Sequence, residues 1–194
     1  MNRRVIDYLV SSAGLIVAIV LLAVGGLALW GHNFINTQVH DQLAAQKIFF
    51  PPKGSPAIKD PQFAAMQQYA GQQLTTGPQA QTYANHFIAV HLSEVANGQT
   101  YAQVSAKALA DPTNTTLQGQ VETLFKGTTL RGLLLNAYAF GKVAQIAGIA
   151  AIVSFIGGGI LLVLSILGFV HGARTARQTQ TVSATSEERQ ATAA

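Results

Sequence analysis

Two long segments of the chain contain only apolar, small or uncharged polar residues. They cover residues 9–30 and 143–170, and neither contains Asp, Glu, Lys, Arg or His. A hydrocarbon layer of about 30 Å takes about 20 helical residues, so each segment is long enough to cross a bilayer. The pattern predicts transmembrane helices at 9–31 and 143–170, separated by a more polar insert at 32–142.

The insert has the apolar spacing of α-helices and almost no β-branched alternation. The spacing predicts helices near 61–73, 78–96, 101–110 and 113–140, the last running on into the second membrane segment. Nothing between Asn33 and Lys47 breaks a helix, so the first membrane helix is expected to continue outward there. The chain is therefore predicted to be all-α: two transmembrane helices that form a hairpin, with an extracytoplasmic domain of about four to five helices.

Residues that favour helix starts mark four breaks in the insert. Asp60 and Asp111 each precede a proline, the residue favoured at the first helical position. Thr76 offers the same arrangement more weakly. Thr100 with Gln103 fits a capping box, in which each side chain caps the backbone N–H of the other residue.

The stretch 49–56 cannot be a regular helix, because it contains three prolines and a glycine. We expect an ordered turn in which Phe49 and Phe50 plug the helical core. Both phenylalanines are also candidates for contact with a partner or with lipid. A polyproline recognition segment is the alternative, although the P-x-x-P spacing is absent.

Arg131 and Asn136 lie on an otherwise apolar stretch just before the second membrane segment, and Gly132 leaves room there for a close neighbour. A polar pair in this position is a candidate for binding lipid headgroups or a partner helix. The alternative is an arginine whose charged end reaches the membrane interface while its stem lies along apolar surface.

Small residues four positions apart occur in both membrane segments. They are Gly14 and Ala18 in the first, and Ala150, Ser154 and Gly158 in the second. Such spacing lets helix backbones approach closely in lipid, so we expect these faces to pack on each other. The alternative is that they reflect only how common Gly and Ala are in membrane helices.

The distribution of positive charge predicts the orientation in the membrane. Arg3 and Arg4 precede the first membrane segment, and no Lys or Arg follows it until Lys47. Positive charge beside a span stays cytoplasmic, so residues 1–8 and 171–194 are predicted to be cytoplasmic. The first apolar stretch is longer than the roughly 7–15 residues of a signal-peptide core, which favours an uncleaved anchor.

Residues 171–194 are rich in Thr, Ser, Gln and Ala, which predicts a disordered cytoplasmic tail. Its hydroxyl groups are candidate phosphorylation sites, namely Thr179, Thr181, Ser183, Thr185 and Ser186, together with Thr175. Phosphorylation would add about −1.5 to −2 charges per site and weaken the attraction of Arg174 and Arg177 to anionic lipids. The alternative is a solvated tail without a regulatory role.

The remaining composition narrows the range of functions. The chain has no cysteine, so it cannot form a disulfide, a thiolate nucleophile or an iron–sulfur cluster. Its net charge of +4 forms no Lys/Arg stripe, so nucleic acid is not an expected partner.

The histidines do not have the spacing of a metal site. His86 and His91 are five positions apart, about 140° around a helix, whereas a zinc pair needs i, i+4 spacing. His91 is instead expected to pair with Glu94. The sequence predicts no catalytic residue, metal or cofactor, since P-loops, serine nucleophile elbows and paired carboxylates are all missing.

Several stretches together resemble a family of two-span actinobacterial membrane proteins of unknown function. They are residues 41–48 followed by Phe50-Pro51-Pro52, and residues 69–74, 83–88 and 129–138. The resemblance implies membership of that family and supplies no activity. Some relatives carry the label of an aromatic ring-opening dioxygenase, whose non-haem iron would need clustered His and carboxylate ligands.

The leading hypothesis is a non-enzymatic envelope protein: an accessory subunit or scaffold whose outer domain binds lipids, a protein partner or further copies of itself. The order of span, helical domain and span is also that of sensor input domains, so a ligand sensor that signals through a separate partner is the first alternative. A metal-dependent enzyme is the second.

Overall fold

The structure is a computed structural model that describes the backbone of residues 3–192 and the side chains of residues 5–174. Every regular element in this part of the chain is helical, which confirms the all-α prediction. The α-helices are α1 (Arg3–Ala45), α2 (Gly77–Tyr83), α3 (Ala89–Val95), α4 (Tyr101–Ala110) and α5 (Thr115–Thr192). Two 3₁₀-helices cover Pro56–Ile58 and Pro61–Tyr69, and a π-helix covers Ala84–Ile88.

The chain divides into two compact units. One consists of Met1–Trp30 and Ala147–Ala194, and we call it the apolar unit; the other, Gly31–Ile146, is the helical domain. Helices α1 and α5 are both long and apolar enough to cross a membrane, with windows of mean hydropathy 2.5. Only 11% and 17% of these windows are buried, whereas the core helix of a soluble protein is mostly buried. Their apolar side chains therefore face outward.

Both long helices extend beyond the apolar segments, as the sequence predicted. Helix α1 ends at Ala45, just before Lys47, whose φ of 52° is left-handed. Helix α5 begins at Thr115 and continues to Thr192, so residues 171–192 are helical where a disordered tail was expected. The reason is that Ala, Gln, Glu and Arg favour helix, and no Pro or Gly follows Gly172.

Two helix starts have the predicted caps. Thr76 with Gln79 forms a capping box at α2, and Thr100 with Gln103 forms one at α4. In each box the threonine hydroxyl accepts the backbone N–H of the glutamine at 3.4 Å. Helix α4 has the predicted bounds, and the predicted helix at 78–96 is the run of α2, the π-helix and α3.

The two predicted aspartate caps are wrong. Asp60 precedes a 3₁₀-helix, and its side chain makes no capping hydrogen bond. Asp111 follows the end of α4, and its carboxylate accepts hydrogen bonds from Thr113 Oγ1 at 3.0 Å and Asn114 Nδ2 at 3.3 Å. Asn114 caps α5 instead, since its Oδ1 accepts the backbone N–H of Leu117 at 3.1 Å.

The proline-rich stretch forms a short antiparallel clasp with residues 71–74. Phe50 N donates to Gln72 O at 2.9 Å, and an isolated bridge pairs Phe49 with Gln73. Successive side chains of extended backbone point to opposite sides, so Phe50 is 1% exposed and Phe49 is 56% exposed. Only Phe50 therefore plugs the core. The clasp also explains why the predicted helix at 61–73 stops at Tyr69.

The core of the helical domain forms around Phe50. Its ring centroid lies 5.3 Å from that of Tyr69 and 5.4 Å from that of Tyr83. The other buried members come from α1, the 3₁₀-helices, the clasp, α2, the π-helix and α5: Val39, Leu43, Ile58, Phe63, Met66, Leu74, Ala80, Ala84, Ile88 and Leu134. A smaller cluster of Ala96, Val104 and Leu124 joins α4 to α5.

Glycines allow α2 and α3 to lie close to α5. A Cβ built on Gly77 would lie only 3.3 Å from the Cα of Tyr138 and 3.5 Å from that of Gly141. The side chain of Leu92 occupies the space beside Gly127. These contacts fix the course of the run 77–95 along α5.

The clasp predicts that two adjacent phenylalanines differ sharply in their contribution to stability. Phe50→Ala should lower the free energy of unfolding of the helical domain by about 3–5 kcal/mol, because it leaves a cavity in the core. Phe49→Ala, the matched control, should change it by less than about 1 kcal/mol. Denaturant titration of the full chain in detergent, followed by near-UV circular dichroism, measures both. Equal effects would contradict the clasp.

Candidate functional site

The two helices of the apolar unit contact each other in antiparallel orientation along a seam of small residues. A Cβ built on Gly14 would lie 2.6 Å from Ser165 Oγ, and one on Gly158 would lie 3.2 Å from Ala18 O. Farther along, a Cβ on Gly25 would lie 3.2 Å from Ser154 Cβ. The structure thus places the predicted Gly14, Ala18, Ser154 and Gly158 at the contact.

Ala150 is the predicted packing residue that the structure places elsewhere. It is exposed, whereas its neighbour Ala151 is fully buried. The buried positions of α5 recur every seven residues, at Ala151, Gly158, Ser165 and Gly172. A step of seven residues drifts only about 20° around a helix, but a step of four drifts about 40°, so a row based on four leaves the contact face sooner.

Two serines of the seam lie over glycines of the opposite helix. Ser165 of α5 contacts the position of Gly14 on α1, and Ser11 of α1 contacts that of Gly168 on α5. Both serines are almost completely buried: Ser165 is 4% exposed and Ser11 is 6% exposed. Each helix therefore supplies one serine and one glycine, and a side chain at either glycine would push the helices apart.

The seam predicts that Gly158→Leu separates the two helices, because the new side chain meets Leu22 and the carbonyl of Ala18. A disulfide between Gly25→Cys and Ser154→Cys reports the separation, since the two Cβ atoms would lie near disulfide distance. Crosslinking should be lost with Gly158→Leu.

Gly159→Leu is the matched control for this experiment. Nothing lies within 4 Å of a Cβ at Gly159, so the disulfide should still form. The chain has no native cysteine, so the engineered pair is the only thiol pair present. Persistence of the crosslink in both leucine variants would show that Gly158 does not define the contact.

An apolar groove of about 480 Å³ lies between two helices in the described part of the helical domain. One wall is α1, with Phe34, Ile35, Gln38, Val39, Gln42 and Leu43, followed by Gln46. The other wall is α5, with Leu130, Leu133, Leu134, Asn136, Ala137 and Phe140. No residue of the lining is charged. Its size and mainly apolar lining are typical of binding sites.

The structure separates Arg131 from Asn136, which the sequence treated as one polar pair. Arg131 Nη2 donates to Asn85 Oδ1 at 3.0 Å, on the side of α5 that contacts the π-helix. Asn136 is exposed and lines the groove. The two residues are five positions apart, about 140° around the helix, so they face different surroundings. Gly132, expected to receive a close neighbour, has no atom within 4 Å of a built Cβ.

Asn85 is a residue that sequence reasoning missed. It lies in the π-helix, whose extra residue per turn is seen in the hydrogen bond from Ala89 N to Ala84 O. Such insertions re-aim side chains and are frequent at functional positions. Arg131 Nε is buried and has no hydrogen-bond partner among the described residues. The guanidinium is therefore held mainly by Asn85 and by packing.

The Arg131–Asn85 hydrogen bond predicts coupled stabilities. Arg131→Ala and Asn85→Ala should each cost about 1.5–3 kcal/mol, as expected for a hydrogen bond to a charged group. The double variant should cost less than the sum by about 1 kcal/mol, because both remove one interaction. Lys142→Ala is the control on the same helix, with an exposed side chain. Unfolding of the full chain in detergent measures the cycle, and strict additivity would contradict the contact.

Two of the histidines lie within hydrogen-bond distance of backbone carbonyl oxygens. His32 Nδ1 lies 2.7 Å from Ala144 O, and His91 Nδ1 lies 2.8 Å from Phe87 O. Glu94, predicted to pair with His91, instead accepts a hydrogen bond from Gln62 Nε2 at 3.2 Å. No group of three or more His, Asp or Glu residues close enough to hold a metal occurs among the described residues.

The shifted pKa values do not mark a reaction centre. Burial raises the pKa of the Tyr83 phenol, which belongs to the aromatic core. The side-chain hydrogen bond from Lys126, and then its charge, lower the pKa of Glu122 on the exposed surface of α5. Both groups serve packing or surface pairing.

The candidate phosphorylation sites Thr179, Thr181, Ser183, Thr185 and Ser186 have side chains outside the described residues, as does Thr175. Their backbone belongs to α5. Among the predicted contact residues, Phe49 and Asn136 are exposed, whereas Phe50 is buried and Arg131 is partly buried.

Comparison of the chain with protein-family models, with curated proteins and with solved structures finds no match in any of the three. The resemblance to two-span actinobacterial membrane proteins therefore stays a prediction from the sequence.

Proposed function

We propose that this protein is a non-enzymatic integral membrane protein of the cell envelope, anchored by a transmembrane hairpin at 9–31 and 143–170. Its helical domain lies outside the cytoplasm and binds protein or lipid partners, as an accessory subunit or scaffold does. Residues 1–8 and the end of α5 lie in the cytoplasm.

The observation that carries the membrane part is the outward-facing apolar surface of α1 and α5. Val17, Leu27, Ile152 and Leu167 are each about half exposed or more, at 49%, 68%, 60% and 58%. In water such a continuous apolar surface would drive aggregation, whereas lipid covers it without cost. The small-residue seam supports a hairpin, because close backbone approach is how helices associate in lipid.

The groove between α1 and α5 of the helical domain supports the binding part. Leu133 and Phe140 are 61% and 60% exposed in it, outside the core that packs around Phe50. Exposed apolar surface of this kind marks sites of interaction. His32 and His91 of this domain contact the backbone carbonyl oxygens of Ala144 and Phe87.

The proposal predicts the topology. A reporter that works only outside the cytoplasm should be active when inserted near Gly98, in the turn between α3 and α4, and inactive when fused after Ala194. A cytoplasmic reporter at the same two positions is the control and should give the reverse pattern. Activity of the external reporter after Ala194 alone would overturn the proposed orientation.

The binding part has a separate test. The full chain, extracted in mild detergent, should migrate as a complex larger than one chain with its micelle. A chain with the expected topology that is recovered only as a free monomer would contradict partner binding and leave the membrane anchor standing.

A further inference from the structure

The groove between α1 and α5 combines exposed apolar side chains with a row of amides. Gln38, Gln42 and Gln46 are four positions apart, so they form one line along α1. Leu130 and Leu133 of α5 lie opposite, at 38% and 61% exposure.

The amide groups of this row are available for pairing. Neither the three glutamines nor Asn136 has a side-chain hydrogen bond with any residue in the part of the chain that the structure describes. An acyl chain in the groove would bury these donors and acceptors without a partner, at about 1–3 kcal/mol for each group. The row therefore argues against a hydrocarbon occupant.

In a second copy of the chain, the same amides can act as hydrogen-bond partners for this row. A primary amide both donates and accepts hydrogen bonds, so glutamine can pair with its own equivalent, whereas a charged residue would repel its equivalent. The chain carries a net charge of +4, yet the groove contains none of its charged residues. Two copies can therefore approach through this face without bringing like charges together.

We propose that the protein is a parallel homodimer whose two copies meet at this groove, with the glutamine row of one copy against that of the other. The inference rests on the proposed topology, because copies inserted the same way hold equivalent residues at equal height. A two-fold axis along the membrane normal then brings each glutamine opposite its equivalent. Leu130, Leu133 and Phe140 flank the row and lose their exposure to water.

Single-cysteine crosslinking in native membranes tests this arrangement, and the chain offers a background without cysteine. Gln42→Cys, at the middle of the row, should form a disulfide-linked dimer on mild oxidation. Thr37→Cys is the matched control: it is exposed on the same helix, and neighbouring positions such as 37 and 38 point about 100° apart. It should stay monomeric.

A charge placed in the groove provides a second test. Leu133→Lys puts two like charges across the axis and should reduce the crosslinked fraction of Gln42→Cys about tenfold, equivalent to about 1.4 kcal/mol. Leu109→Lys, which adds the same charge at an α4 position 79% exposed and outside the groove, should leave the crosslink unchanged. Both positions are exposed, so folding should be preserved.

Three results would overturn the dimer. One is equal crosslinking of Gln42→Cys and Thr37→Cys, which indicates random collision. Another is the absence of a crosslink with Gln42→Cys in a protein whose topology reporters behave as proposed. The third is a native mass spectrum of the mild-detergent complex that contains one copy with a lipid or a different protein, which would keep the proposed function and reject the second copy.

Discussion

The contact between α1 and α5 in the apolar unit depends on how little side chain stands between the two backbones. When two helices associate in lipid, their apolar surfaces move from contact with acyl chains to contact with each other, which yields no hydrophobic free energy. Association therefore depends on van der Waals contact and on short polar side chains. Ser11 over Gly168 and Ser165 over Gly14 supply both at two levels of the seam. Farther along the seam, Ala18 and Gly158 allow the two backbones to lie close together. A bulky side chain at these positions would push the two backbones apart.

The helical domain has few charged side chains that could donate hydrogen bonds to its backbone carbonyl oxygens. Glutamine side chains take on this role. Gln73 Nε2 donates to Ala44 O at 2.8 Å near the end of α1, and Gln120 Nε2 donates to Val95 O at 2.9 Å at the end of α3. Gln67 Nε2 donates to Ile58 O at 2.6 Å after the first 3₁₀-helix. The terminal carbonyls of helices need such partners. The abundance of glutamine thus has a structural purpose beyond helix propensity.

The sequence predicted what depends on local chemistry. The caps at Thr76 and Thr100, the bounds of α4 and the two long apolar helices follow from residue types at short spacing, and the structure has them. It did not predict the clasp that separates Phe49 from Phe50, because pairing with residues 71–74 is a contact between distant parts of the chain. The failure at Asp111 has a local reason, because Asn114, three residues later, was an equally good cap.

The candidate site was predicted only in part. Arg131 and Asn136 stood out correctly as polar residues on an apolar helix, but their opposite faces follow from a rotation of about 140° that was not applied to them. The role of Asn85 could not be predicted, because no local sequence pattern indicates a π-helix. The i, i+4 spacing of Gln38, Gln42 and Gln46 is present in the sequence. The row was not predicted as a site, because the prediction rested on charged and aromatic residues.

The groove has one further physical property. Its lining contains no acid, base or histidine, so nothing in it titrates between acidic and alkaline conditions. Salt screens charges, and it leaves amide hydrogen bonds and apolar contacts largely intact. The contribution of the groove itself to binding therefore hardly varies with ionic strength or pH. The groove is thereby insulated from changes in the salt and pH of the solution around it.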